Sequence, residues 1–293
     1  MSAATPAAPI PTSPVGTPPP LPEPIRLMGV PLHPVTAAGA LDHIAASAAA
    51  GRGGWVLTPN LEILRRLTRE PETAALCEPV TLRLADGMPL IWASRLQRTP
   101  LPERVPGSDL IWSLSGRAAA EGLSIFLLGG NPGAADAAAA ELVARFPGLK
   151  VAGTECPPIG FEGDAGYLDR LRERLVVADP NIVYVALGFP KQERLIARLW
   201  PALPRAWFLG IGISFSFVSG EVKRAPRWMQ AAGLEWMHRL AQEPSRLARR
   251  YLVHGLPFAA RLLALSAAAG IMGRGSGNAA AGANGSRDEG VSK

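Results

Sequence analysis

Residues 181–200 read NIVYVALGFPKQERLIARLW. Ile182 to Leu187 form an unbroken apolar run, too apolar for a strand with one wet face, and Leu195, Ile196 and Leu199 then recur at helical spacing. Gly188 and Pro190 stand between the two textures, where a turn closes one element and opens the next. Strand, tight turn and amphipathic helix make half of a βαβ unit. A strand apolar on both faces belongs in a parallel sheet with helices on both sides.

The same unit recurs between residues 25 and 215. GWVLTPN (54–60) runs into LEILRRL, VTLRLADG (80–87) into MPLIWASRL, and LSIFLLGGNPG (123–133) into AADAAAAELVARF. The expected fold is α/β: a Rossmann-like, mostly parallel sheet with helices on both faces, plus a C-terminal helical, membrane-associating appendage. Such sheets bind ligands beyond the carboxyl ends of their strands. The unusual polar residues fall there: Thr58 and Asn60, Asp86, Asn131, and Lys191-Gln192-Glu193.

Composition limits what surrounds this unit. Residues 1–24 are a Pro/Ala/Thr/Ser run with few large apolar side chains, and residues 273–293 are again low in complexity; both read as disordered tails. Residues 25–220 are expected to form one α/β domain, the one that would hold any catalytic residues. After AWFLGIGISFSFVSG (206–220) the texture changes to Arg- and Trp-rich helices, which mark residues 221–272 as the appendage. No basic start and apolar run of a secretory signal opens the chain, so Cys77 and Cys156 are expected as reduced thiols in the cytosol.

The net charge is +6, and between Glu221 and Arg261 eight Lys/Arg face three acids, so nearly all of it lies in the appendage. Its partner should be anionic: a diphosphate, an acidic membrane surface or nucleic acid. Nucleic acid is the least favoured, because no recognition motif accompanies the cluster. The segment LPFAARLLALSAAAGIMG (256–273) is short for a bilayer span and carries Arg261, so it is expected to lie in a membrane interface.

Several residues can carry chemistry. Asp86, at a strand's carboxyl end before Gly87, fits a partly desolvated general base, and fits equally an N-cap for the following helix. Gly129, Gly130 and Asn131 form a Gly-rich strand-to-helix turn whose amides can cradle a phosphate or simply turn the chain. Asn60 can cap its helix. Arg104 precedes a Pro-Gly turn, and alone it reads as a surface residue. Arg239, Arg246, Arg249 and Arg250 supply forked donors suited to phosphate oxygens, or a solvated basic face. No Asp-x-Asp pair is present, and His33, His43, His238 and His254 have no zinc spacing, so no metal and no cofactor are expected.

Together these motifs resemble the WecG/TagA/CpsF glycosyltransferases of bacterial cell-surface polysaccharide synthesis. The resemblance runs from about Leu27 to Tyr251, through TPNLEIL, ADGMPL, RVPGSDL, FLLGGNPG, ALGFPKQE, GIGISFSF and KRAPRWMQAAGLEWMHRLAQEPSRLARRY. It implies an inverting, metal-independent enzyme that moves N-acetylmannosamine, glucose or a related hexose from a UDP-sugar to a polyprenyl-diphosphate-linked saccharide. It would work as a peripheral protein on the cytoplasmic face of the cell membrane. Asp86 then matches the proposed base; Thr58, Asn60, Arg104 and Gln192 match residues lining the substrate site, with Gly188 allowing close approach; Arg239, Arg246 and Arg249 match arginines that engage the diphosphate. One departure stands out: Ser216 occupies the middle of Phe-Ser-Phe, where the family usually has Asp.

The competing reading is a non-catalytic nucleotide-binding protein that docks on anionic membranes through its basic helices. A nicotinamide-dependent oxidoreductase is disfavoured, because no GxGxxG turn with a downstream acid is present. The sequence admits a homo-oligomer and does not specify the sugar.

Overall fold

The computed structural model describes the backbone of residues 17–222, 224–231 and 233–284, with side chains except at Arg227, Ala231, Arg246 and residues 273–284. Residues 1–16 and 285–293, parts of the two expected tails, lie outside the described residues.

A two-stranded antiparallel hairpin, β1 (Ile25–Leu27) and β2 (Val30–Leu32), precedes α1 (Ala37–Ala49). Strands and helices then alternate: β3 (Gly54–Leu57), α2 (Leu61–Arg69), α3 (Pro71–Leu76), β4 (Leu82–Arg83), α4 (Met88–Leu96), α5 (Gly107–Glu121), β5 (Ser124–Gly129), α6 (Ala134–Arg145), β6 (Lys150–Glu155), α7 (Ala165–Ala178), β7 (Ile182–Ala186), α8 (Lys191–Leu199), β8 (Trp207–Gly210) and α9 (Ser214–Val218). The six strands β3 to β8 form one parallel sheet in the order β4-β3-β8-β7-β5-β6. The α/β expectation holds.

Register explains the continuous apolar runs. Leu82, Val56, Leu209, Tyr184 and Leu127 pair in one row across the sheet and bury on the face covered by α1, α5, α6 and α9. Trp55, Phe208, Val183 and Phe126 form the next row and bury on the opposite face against α2, α7, α8 and the C-terminal helix. With a side-chain period of two, only a strand apolar at every position can fill both layers. In the first row the Tyr184 hydroxyl meets Ser115 Oγ at 3.1 Å.

Residues 17–24 lie along the body. Leu21 packs against the core, and His43 Nδ1 donates to the Pro19 carbonyl at 2.7 Å. The tail-like composition therefore does not keep this stretch off the body, because its single Leu is partly buried against the core.

Beyond α9 the chain is helical: α10 (Arg227–Ala231), α11 (Glu235–Gln242), α12 (Pro244–Ala248), a π-helical segment Arg249–Gly255, and α13 (Leu256–Asn284). Helix α13 lies along α4, and Phe258, Leu262, Ser266 and Gly270, one residue per turn, are buried on its inner side. Gly270 is required there, since a Cβ would stand 2.1 Å from the Leu96 carbonyl oxygen. Leu256, Leu265, Ile271 and Met272 face outward. By length and composition Arg249–Met272 could cross a bilayer, yet one side of it is held against the protein.

Candidate active site

Asp86 follows β4 and donates its backbone N–H to the Pro59 carbonyl at 2.8 Å, which ties the β4 exit to the turn after β3. Gly87, at φ 134°, is the N-cap of α4, and no side chain caps that helix. Of the two roles the sequence left open for Asp86, the helix cap is not used. The carboxyl instead lies among charged groups from body and appendage. Burial pushes it up to about 7, Glu235 and Asp109 push the same way, and Arg104 and Arg224 oppose them.

The appendage is what closes the site. Gly233 passes over the start of α4 in a left-handed conformation (φ 73°), where a Cβ would sit 2.8 Å from Met88 Cβ, two residues beyond Asp86. Arg224 then clasps both parts, ion-paired to Asp109 on α5 and, through Nε at 3.3 Å, to Glu235 on α11. Arg104 stands beside them, 3.9 Å from Asp109 Oδ2 and 3.5 Å from Gln230 Oε1. A cleft of about 510 Å³ opens here, lined by Glu103, Arg104, Asp109, Ser113 and Gln230 among others. Arginines beside carboxylates and a hydroxyl form a surface that can hold phosphate oxygens and sugar hydroxyls together.

The other expected residues gather along the same edge of the sheet. Thr58, at the end of β3, is buried against Gly107 at the start of α5. Asn60 caps α2, its Oδ1 accepting from the Glu62 and Ile63 amides at 3.1 Å. Gly129 and Gly130 turn the chain after β5 with φ of 106° and 83°, and Gly130 donates to the Ala186 carbonyl at 2.7 Å. At Gly129 a Cβ would meet that carbonyl oxygen at 2.7 Å, so the turn serves close packing between β5 and β7. Asn131 is exposed beyond it.

Gln192 points inward and is 3 % exposed. Its Oε1 accepts from Gly188 N and Gly212 N, both at 3.1 Å, and its Nε2 donates to Glu193 Oε1 at 2.9 Å. Lys191 pairs with Glu162 at 2.5 Å over the Phe161 ring, away from the cleft residues. Arg239 is half-buried in α11, and Arg249 is exposed at the start of the π-helical segment. The side chain of Arg246 lies outside the described residues. Arg246, Arg249 and Arg250 stand at i, i+3 and i+4, a spacing that would share one face of an α-helix, but the α-helix gives way to a π-helix at Arg249. Ser216 is buried, and its hydroxyl donates to Glu221 Oε2 at 2.9 Å, so a carboxylate returns to that corner from five residues downstream.

Asp109, Gln230, Arg224 and Glu235 were not singled out in the sequence, although each falls inside a quoted motif. Only the folded appendage shows that they meet.

A family model for the glycosyl transferase WecG/TagA/CpsF family matches residues 25–269. The chain belongs to the WecG/TagA/CpsF family. It is therefore a glycosyltransferase of cell-surface polysaccharide synthesis, and the resemblance read from the motifs is borne out. Two curated relatives carry the name N-acetylglucosaminyldiphosphoundecaprenol N-acetyl-beta-D-mannosaminyltransferase. The one from Bacillus spizizenii is 34% identical over 205 residues, covering 68% of this chain and 75% of the relative. The one from Bacillus subtilis (strain 168) is 32% identical over 199 residues, covering 67% and 75%. Within this family member, the match spans both the sheet and the appendage that closes on Asp86.

Proposed function

We propose that this glycosyltransferase moves N-acetylmannosamine, or glucose or a related hexose, from a UDP-sugar to a polyprenyl-diphosphate-linked saccharide, with inversion and without a metal. The observation that carries this reading is the Asp86 carboxyl, free of the helix cap and raised to about 7 by burial and by Glu235 against the opposing charges of Arg104 and Arg224. The names of the two relatives support a lipid-diphosphate acceptor and an N-acetylmannosaminyl group.

The chemistry is a direct displacement. An acceptor hydroxyl attacks the anomeric carbon, Asp86 takes the hydroxyl proton, and the bond from that carbon to the UDP oxygen breaks with its electron pair on UDP. Inversion follows from one attack on the face opposite the leaving group. Arg104 and the appendage arginines Arg239, Arg246 and Arg249 stabilise the diphosphate charge in the role a divalent cation would otherwise fill. Thr58, Asn60 and the Gly129-Gly130-Asn131 turn, which lie outside the cleft beside Arg104, bind substrate along the same edge of the sheet. Residues 25–220 act as the catalytic domain, and residues 221–272 close over it and exclude water from the donor.

The acceptor's chemistry locates the protein at the cytoplasmic membrane face, with the outer side of α13 in the lipid interface. Transfer assays with a panel of UDP-sugars and a polyprenyl-diphosphate disaccharide precursor, read by mass spectrometry of the product, test the reading. One panel sugar should appear on the acceptor, and Asp86→Asn should abolish it. Unchanged turnover of Asp86→Asn would remove the base from this site.

A further inference from the structure

The Gln192 amide has two chemically different ends, and its surroundings permit only one orientation. The backbone N–H groups of Gly188 and Gly212 can only donate, so the atom both meet at 3.1 Å is the amide oxygen. The NH2 end must then face an acceptor, and it faces Glu193 Oε1 at 2.9 Å. A flipped amide would set an NH2 group against two N–H donors and its oxygen against a carboxylate. Glu193 is wholly buried, and its Oε2 has no hydrogen-bond partner. Arg66, whose charge acts on Glu193, is itself paired with Glu70 at 2.8 Å.

The space around the pair is closed by β8. A Cβ at Gly210 would stand 2.4 Å from Gln192 Nε2 and 2.8 Å from Glu193 Oε1, so the strand passes over the pair only because that residue is glycine. Gly188 and Gly212 belong to the turns that leave β7 and β8, adjacent strands at the centre of the sheet. A buried carboxylate without full compensation lowers stability, and an apolar side chain of similar volume would cost less. Glu193 thus occupies its position at a stability cost, and what it holds is the orientation of its neighbour.

We propose that Glu193 is a positioning residue for the transfer reaction: by accepting from the Gln192 amide it keeps that amide's oxygen on Gly188 and Gly212, and so clasps together the two turns at the carboxyl ends of β7 and β8, on the sheet edge that also carries Asp86. Gln192 acts through the main chain it holds, and the inference rests on the reading of that edge as the transferase site. A displacement of about 1 Å in such a turn can lower a rate by up to about 100-fold.

Exchanging donor and acceptor tests the clasp. Glu193→Gln keeps a carbonyl acceptor and should behave as the parent. Gln192→Glu sets two carboxylates together and should speed amide hydrogen exchange at Gly188 and Gly212 on the order of 10- to 100-fold and lower kcat to a similar extent, with little change in KM. The double variant Gln192→Glu with Glu193→Gln reverses the polarity of the bond and should restore both. Glu193→Ala, which removes the acceptor, should match Gln192→Glu. A double variant no better than Gln192→Glu overturns the proposal, as does Glu193→Ala with parental exchange and kcat. Restored exchange without restored transfer also overturns it, because the amide itself would then be required at the substrate. Hydrogen exchange is measured on the free protein, so a parent enzyme that transfers none of the offered sugars would defeat the functional reading while the clasp is still tested.

Discussion

At the scale of single residues, Asp86 joins two properties that oppose each other. Its carboxyl is raised to about 7 in the folded protein, chiefly by burial, against roughly 3.9 for an unperturbed aspartate. Between those pH values folding takes up a proton, so stability falls as pH rises through that window, and the whole penalty is present above pH 7. Asp86→Asn should therefore raise the Tm by a few degrees at pH 8, and the gain should vanish near pH 4. The same substitution should lower kcat on the order of 10²- to 10⁴-fold, the usual contribution of a general base. Calorimetry and turnover on one preparation check both signs; a variant that loses activity and stability together at pH 8 would mark Asp86 as a structural residue. The base must be ionised to work, so kcat/KM should rise with pH through about 7. Glu235 adds to the upward shift. Glu235→Gln should then move this acid limb to lower pH, while Glu103→Gln, at a position that contributes none of the shift, should leave it in place.

At the scale of elements, the parallel sheet could be read from the sequence because the central strands are nearly continuous apolar runs and both layers need filling. Asp86 could be read as a site only through the family resemblance, because a carboxylate at a strand's carboxyl end before a helix serves equally well as a cap. Its surroundings could not. Arg224 reaches Asp109 across 115 residues and Gln230 reaches Arg104 across 126. Spacing rules do not describe such contacts. Nor did helical spacing show that the backbone turns π-helical at Arg249, or that Gln192 faces the protein interior. Gly270 is a further close approach that local sequence hides. Alanine is the better helix former by about 1 kcal/mol, yet its Cβ would meet the Leu96 carbonyl at 2.1 Å. Gly270→Ala should thus lower the Tm in spite of its propensity and increase hydrogen exchange along α13 while that of β3, β7 and β8 is unchanged. A higher Tm would show that α13 does not rest on α4.

At the scale of the whole molecule, the question is how a protein with a bilayer-length apolar helix would meet the lipid-linked acceptor proposed for it. Helix α13 buries Phe258 and Leu262 against the body, and fully burying such side chains contributes about 1.5–3 kcal/mol each. Crossing the membrane would forfeit those contacts and draw the exposed Arg261 toward hydrocarbon. Lying flat forfeits neither, and it turns Leu256, Leu265, Ile271 and Met272 toward the acyl chains. Trp92 and Leu96 of α4 are exposed beside this helix, and α4 begins two residues after Asp86, so the flank that meets lipid leads directly to the proposed base. The appendage's excess of Arg and Lys adds attraction to anionic headgroups, which salt weakens, whereas the apolar face is indifferent to salt. Binding to vesicles containing anionic phospholipid should accordingly fall with added salt to a plateau above zero. Replacing Ile271 and Met272 with Asp should remove that plateau and weaken partitioning at least about tenfold, since each apolar side chain returned to water costs up to about 1.5–3 kcal/mol. Turnover on a short, water-soluble acceptor should stay at the parental level, because neither residue lies near Asp86. Flotation of vesicles across a salt series, with turnover on both acceptors, separates the outcomes: parental partitioning of the double Asp variant would mean that charge alone carries the protein to the membrane, and loss of turnover on the soluble acceptor would mean that the helix supports the site and not the membrane contact.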